Sequence, residues 1–187
     1  MSERIIATTD DGRFRVRLFP DPNMPNPRED PDTHVHVITI DTHLGQHRPV
    51  DRDGGPLADA WHRICWNRWK GVEIFTRYVE IMHGGIVLES TPDSGPRSLW
   101  YMTHEELIDL DFGLLSEAYV EAEKEDYESW LAKDVWGFSI EQAAAPGDAT
   151  TEWKQIYTET GHYGGAYARA DARKKLEFFA KRAANNT

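Results

Sequence analysis

The period of the apolar positions changes several times along this chain, and the changes outline its elements. Arg4–Thr8 and Arg13–Phe19 are short apolar-rich runs separated by Thr9-Asp10-Asp11-Gly12, which predicts a β-hairpin. Pro20–Asp32 carries five prolines in thirteen residues and is a loop. His34–Ile40 alternates and is β-branched, as a strand should be, and Asp41–Gly55 is polar and glycine-bearing, a surface loop. From Pro56 to Lys70 the spacing of Leu57, Trp61, Ile64 and Cys65 predicts a helix, with Pro56 suited to its start and Gly71 to the position past its end. Val72–Met82 is rich in β-branched and aromatic residues and reads as a strand, turning at His83-Gly84-Gly85 into a second strand, Ile86–Ser90.

Ser98–Met102 predicts a further strand, and Thr103-His104-Glu105-Glu106 is a capping box that starts a helix. Leu114–Lys133 is the clearest helix: Tyr119, Val120, Ala122, Tyr127, Trp130 and Leu131 gather on one side, and Glu117, Glu121, Glu125 and Glu128 line the other. Val135–Ile140 and Trp153–Thr158 read as strands. Ala166–Ala184 is a basic amphipathic helix with Leu176, Phe179 and Ala180 inward. Hairpins with helices grouped late predict an α+β fold: a mainly antiparallel sheet of hairpins with three to four helices packed on it. A length of 187 residues suits a single domain, 1–187, with a C-terminal helix at 166–184.

Composition narrows the setting. Apolar residues make up 40% of the chain and include seven Trp, enough for a sizeable core. No apolar run is long enough to span a bilayer, and the first residues lack the basic-then-apolar pattern of a secretory signal. Cys65 is the single cysteine, which excludes an internal disulfide and a cysteine zinc site. A cytoplasmic protein with no membrane partner is expected.

Charge adds direction. The chain has 32 acids and 21 bases, a net −11, and residues 101–150 alone contribute 13 acids against Lys124 and Lys133, also −11. The remaining residues are therefore neutral overall, and the field is concentrated in about a quarter of the chain. With no basic excess to release counterions, direct nucleic-acid binding is not expected.

Candidate chemistry is sparse. His34 and His36 would share a face of a strand and could begin a metal site with His43 or His47, but no carboxylate–histidine signature accompanies them; no metal or cofactor is expected. His83-Gly84-Gly85 resembles an oxyanion loop without the G-x-S-x-G elbow it would serve, and glycines at a turn need no other reason. Convergence of His83, Asp93, Ser94, Arg97 and His104 at one end of a sheet would allow acid–base work or a ligand pocket. Gly161-His162-Tyr163-Gly164-Gly165 precedes a helix but lacks a phosphate-binding order, so a packing turn is expected. The glutamate stripe is ordinary solvation or a docking face for a basic partner; like charges at i, i+4 work against the helix, which leaves room for a use beyond stability beside the plainer reading of a solvated face.

Five short motifs follow one another: Asp21-Pro22 with Asn26-Pro27-Arg28-Glu29-Asp30, His83-Gly84-Gly85-Ile86, Asp93-Ser94-Gly95, Asp134-Val135-Trp136-Gly137-Phe138, and Gly161–Gly165. Their order resembles that of a family of uncharacterised phage and prophage proteins, also found on bacterial mobile elements, over roughly Phe14 to Gly165. Such proteins tend to carry an acid and a serine around the turn histidine and Cys-Pro-Trp before Asp-Ser-Gly. Here Met82 and Gly84 flank His83, Ser90-Thr91-Pro92 leads into Asp93, and the resemblance implies that the helix at 56–70 is an insertion. The resemblance implies a phage origin and a host-cytoplasm setting, and no reaction. The expectation is a non-catalytic accessory protein that binds a host or phage protein through Glu117, Glu121, Glu125 and Glu128, with nucleic-acid mimicry as one form of it. A small-molecule-binding or hydrolytic domain is the alternative.

Overall fold

The computed structural model describes residues 2–40, 55–64, 70–91, 97–110, 116–148 and 151–185. Among these the elements are β1 (Arg4–Thr8), β2 (Phe14–Pro20), a 3-10 turn (Pro27–Glu29), β3 (His36–Thr39), α1 (Ala58–Ile64), α2 (Gly71–His83), β4 (Ile86–Ser90), β5 (Ser98–Met102), α3 (His104–Asp109), α4 (Ser116–Leu131), β6 (Val135–Ala143), β7 (Trp153–Tyr163) and α5 (Gly165–Ala184). They form two antiparallel sheets, ordered β1-β2-β6-β7 and β3-β5-β4, and the fold is α+β as expected. The helices among the described residues number five rather than three to four. No described helix is long and apolar enough to cross a membrane.

The chain divides into two compact units, Met1–Pro25 with Lys133–Thr187, and Asn26–Ala132. In the first, β2 alternates, burying Phe14, Val16 and Leu18, and β6 places Trp136, Phe138 and Ile140 beside them. Ala168, Ala172 and Leu176 of α5 complete this core, the two small residues allowing the helix to lie close to the sheet. Asp134 joins β6 to α5. Its carboxylate accepts from the Trp136 indole at 2.6 Å and from the Gly165 amide at 2.8 Å, supplying an N-cap that Gly164 lacks. The expected turn at Gly161–Gly165 is used in this way, and its first three residues belong to β7.

In the second unit both faces of a three-stranded sheet are covered. Ile38, Ile40, Leu99 and Tyr101 meet Leu57, Trp61, Phe75 and Val79. On the other face Val35, Val37, Trp100 and Met102 meet Leu107 and Val120. Coverage on both sides explains why Ser98–Met102 is buried throughout instead of alternating.

One element departs from its expected type. Val72–Met82 lies within helix α2, not in a strand. Phe75 and Val79, one turn apart, are both buried against the sheet, and that tertiary burial outweighs the β propensity of the segment. His83-Gly84-Gly85 is accordingly a helix end: Gly84 takes φ 53°, the left-handed cap that glycine favours, and β4 pairs with β5 instead of with 72–82. The expected helix over 56–70 is α1 over Ala58–Ile64, and 65–69 lie outside the described residues.

Candidate functional site

The β4–β5 register decides where the predicted sheet-end residues lie. Ile86 pairs with Met102 and Ser90 with Ser98. His83 and His104 therefore flank one end of the strand pair, where an atom added to Gly84 would stand 3.3 Å from His104 Cβ. Arg97 lies at the other end, its guanidinium on Glu89, a strand length of about 16 Å away for five residues at about 3.3 Å each. The expected convergence of His83, Arg97 and His104 does not occur, because successive connections of antiparallel strands lie at alternate ends. Asp93 and Ser94, the other members of that cluster, lie outside the described residues. The His83 ring packs edge-on against Tyr78 at 5.0 Å, as part of the α2 terminus.

On α4 the four glutamates have different surroundings. Glu117 and Glu125 are exposed, and Glu121 pairs with Lys124 at 2.7 Å. Glu128 turns inward, accepting from the hydroxyl of buried Ser90. Glu123, outside the predicted stripe, accepts the amides of His34 at 3.2 Å and Val35 at 3.3 Å and so anchors the approach to β3. Ala122, expected on the apolar side, is exposed.

A cavity of about 750 Å³ opens beside β3 and α3, lined by Arg28, Asp30, His34, His36, Glu106 and Asp109 among others. Its centre is a pair that the chain brings together across 70 positions: His36 Nε2 lies 2.5 Å from Glu106 Oε1. The other oxygen of Glu106 accepts from the Thr103 amide at 2.8 Å and the Thr103 hydroxyl at 2.7 Å. One carboxylate thus closes the capping box and orients an imidazole. Burial works to raise the Glu106 pKa, but the hydrogen bonds from His36 and Thr103 prevail and hold it down at about 2. An ionised Glu106 can only accept, so His36 Nε2 carries the hydrogen between them. Nδ1 has no hydrogen-bond partner among the described residues.

The ring is held from behind as well. It lies 5.2 Å from the Tyr101 ring, and Gly55, at φ 66°, approaches so closely that a Cβ there would stand 2.3 Å from His36 Cγ. Arg28 lays its guanidinium over Trp100 at 5.3 Å, presenting a cation at the cavity wall. The Thr33 hydroxyl is committed to the Pro27 carbonyl at 2.8 Å. An oriented imidazole, a guanidinium and several carboxylates can bind a polar molecule. The described lining holds no activated nucleophile beside His36.

Of the H-x-H pair only His36 belongs to β3; His34 precedes the strand and is exposed, both line the cavity, and His43 and His47 lie outside the described residues. His36 and Glu106 were each visible in the sequence, one as half of a histidine pair and the other as a cap. Nothing local announces that they meet. Compared with family models, with curated proteins and with solved structures, the chain gives no match.

Proposed function

We propose that this protein acts by binding rather than by catalysis, presenting the outer face of α4 to a basic partner protein. The observation that carries the reading is the uneven neutralisation of that face. Glu117 and Glu125 are exposed, and the one lysine within the helix, Lys124, is spent on Glu121 with its own side chain only 13% exposed. Glu117 and Glu125 stand uncompensated on either side of the paired Glu121, where they steer a cationic partner. The resemblance of the ordered motifs to those of phage and prophage proteins supports a phage accessory protein whose partner is a host or phage protein. Charge reversal of Glu117, Glu121 and Glu125, leaving Glu128 on Ser90, tests it. Captured partners should be lost while circular dichroism stays unchanged; capture that survives reversal and is insensitive to salt sinks the reading.

The cavity favours a second reading, in which a small polar molecule is bound at His36. The His36 imidazole, held by Glu106, and the Arg28 guanidinium both line it. Thermal-shift measurements against nucleotides and small polar metabolites, repeated on His36→Ala, separate the two. A ligand that raises Tm in the wild type and not in the variant supports this reading, and a flat response across the panel discards it.

A further inference from the structure

We propose that Glu159, His162 and Asp171 form a binding site for one divalent ion of the zinc type. Among the described residues they are the one group of three whose donor atoms all lie within 4.8 Å of one another. The strand geometry is built for it. Residues three apart on a regular strand point to opposite faces. Here Trp136 pairs with His162 and Phe138 with Glu159, so β7 carries one extra residue opposite β6, and Gly161 takes φ 85° in that interval. The bulge turns His162 to the same side as Glu159. Tyr167, Asp171 and Lys175 of α5, each one turn from the next, face them: Tyr167 lies 5.8 Å from the His162 ring, and Lys175 Nζ lies 3.6 Å from Glu159.

Burial of an unpartnered imidazole is the second observation. His162 is only 6% exposed, and its Nε2 is buried without a hydrogen-bond partner. That nitrogen lies 3.9 Å from Glu159 Oε1, beyond hydrogen-bond reach and within the span of two ligands each about 2.1 Å from a shared ion. The second Glu159 oxygen is held by the Tyr157 hydroxyl and by Lys175, outer partners of the kind that orient a ligating carboxylate. One imidazole and two carboxylates suit zinc, manganese or ferrous iron better than a hard cation that prefers an all-oxygen shell.

Isothermal titration of the untagged, chelator-treated full chain with Zn²⁺ alone, and separately with Mg²⁺, tests the assignment. The expected result is one Zn²⁺ per chain, no Mg²⁺ at the same concentrations, and affinity reduced at least about 10-fold in Glu159→Gln and in Asp171→Asn. Asp171 is only half-buried, so its variant keeps the test valid if changes at His162 unfold the protein. Lys175→Met, which removes a competing positive charge, should bind at least as tightly. Absence of Zn²⁺ binding to the wild type overturns the proposal. So does binding that survives both Glu159→Gln and Asp171→Asn, or that disappears on charge reversal of Glu117, Glu121 and Glu125.

Discussion

The carboxylate of Glu106 closes the first turn of α3 with one oxygen and holds the imidazole of His36 with the other. A local cap and a long-range contact thereby share one group, so that disturbing either disturbs both. Register accounts for the meeting: His36 pairs with Tyr101 on β5, and α3 begins two residues after β5 ends, carrying Glu106 back over the start of β3.

Acid should expose the Glu106 contribution. Its pKa is lowered from an ordinary 4.5 to about 2 in the folded chain, so the stability it adds is present above about 4.5 and is lost as pH falls toward 2. Urea unfolding of wild type and Glu106→Gln across this range measures it. The pH-dependent part of the gap between them should be flat above about pH 5 and close on acidification, whereas parallel curves would remove Glu106 as the titrating group.

Gly55→Ala should loosen the cavity. A Cβ at this position meets His36 Cγ at 2.3 Å and the Tyr101 hydroxyl at 2.6 Å, on a backbone at φ 66° that alanine adopts with strain. A loss of at least about 1 kcal/mol is expected in chemical denaturation, larger than for substitution at an open glycine such as Gly147.

The α4 glutamates should separate by surroundings. Single substitutions Glu117→Gln and Glu125→Gln at exposed positions should change stability by no more than about 0.5 kcal/mol. Glu128→Ala leaves the buried Ser90 hydroxyl without its acceptor and should cost about 1–3 kcal/mol. Equal losses at all three positions would show that the stripe is uniformly structural.

Asp134→Ala should strike β6 and α5 together, since it removes acceptors from both the Trp136 indole and the Gly165 amide. A cost of about 1–3 kcal/mol is expected, with amide exchange accelerating first in the opening turn of α5. Protection unchanged at Gly165 and the residues after it would contradict the capping role.

Legibility in the sequence followed the range of the interactions. The β1–β2 hairpin, the Thr103–Glu106 capping box and the amphipathic α5 were readable, because residues within a few positions of one another determine them. Val72–Met82 was misread because its composition favours strands while its burial, through Phe75 and Val79, has helical spacing. Glu128 departs from the predicted outer stripe for a related reason: a helical wheel sorts residues by angle and cannot show that the Ser90 hydroxyl waits at a given angle.

By itself the sequence determined the class of fold, most of the strands, the Thr103–Glu106 capping box and the concentration of acid between residues 101 and 150, all consequences of local periodicity and local hydrogen bonding. Tertiary structure alone decided which polar groups meet. Strand pairing set the distance between His83 and Arg97, brought Glu106 to His36, and through one extra residue in β7 turned His162 toward Glu159. Such meetings depend on register and sheet order, which are set by contacts between residues far apart in the chain, and no window of neighbouring positions contains them.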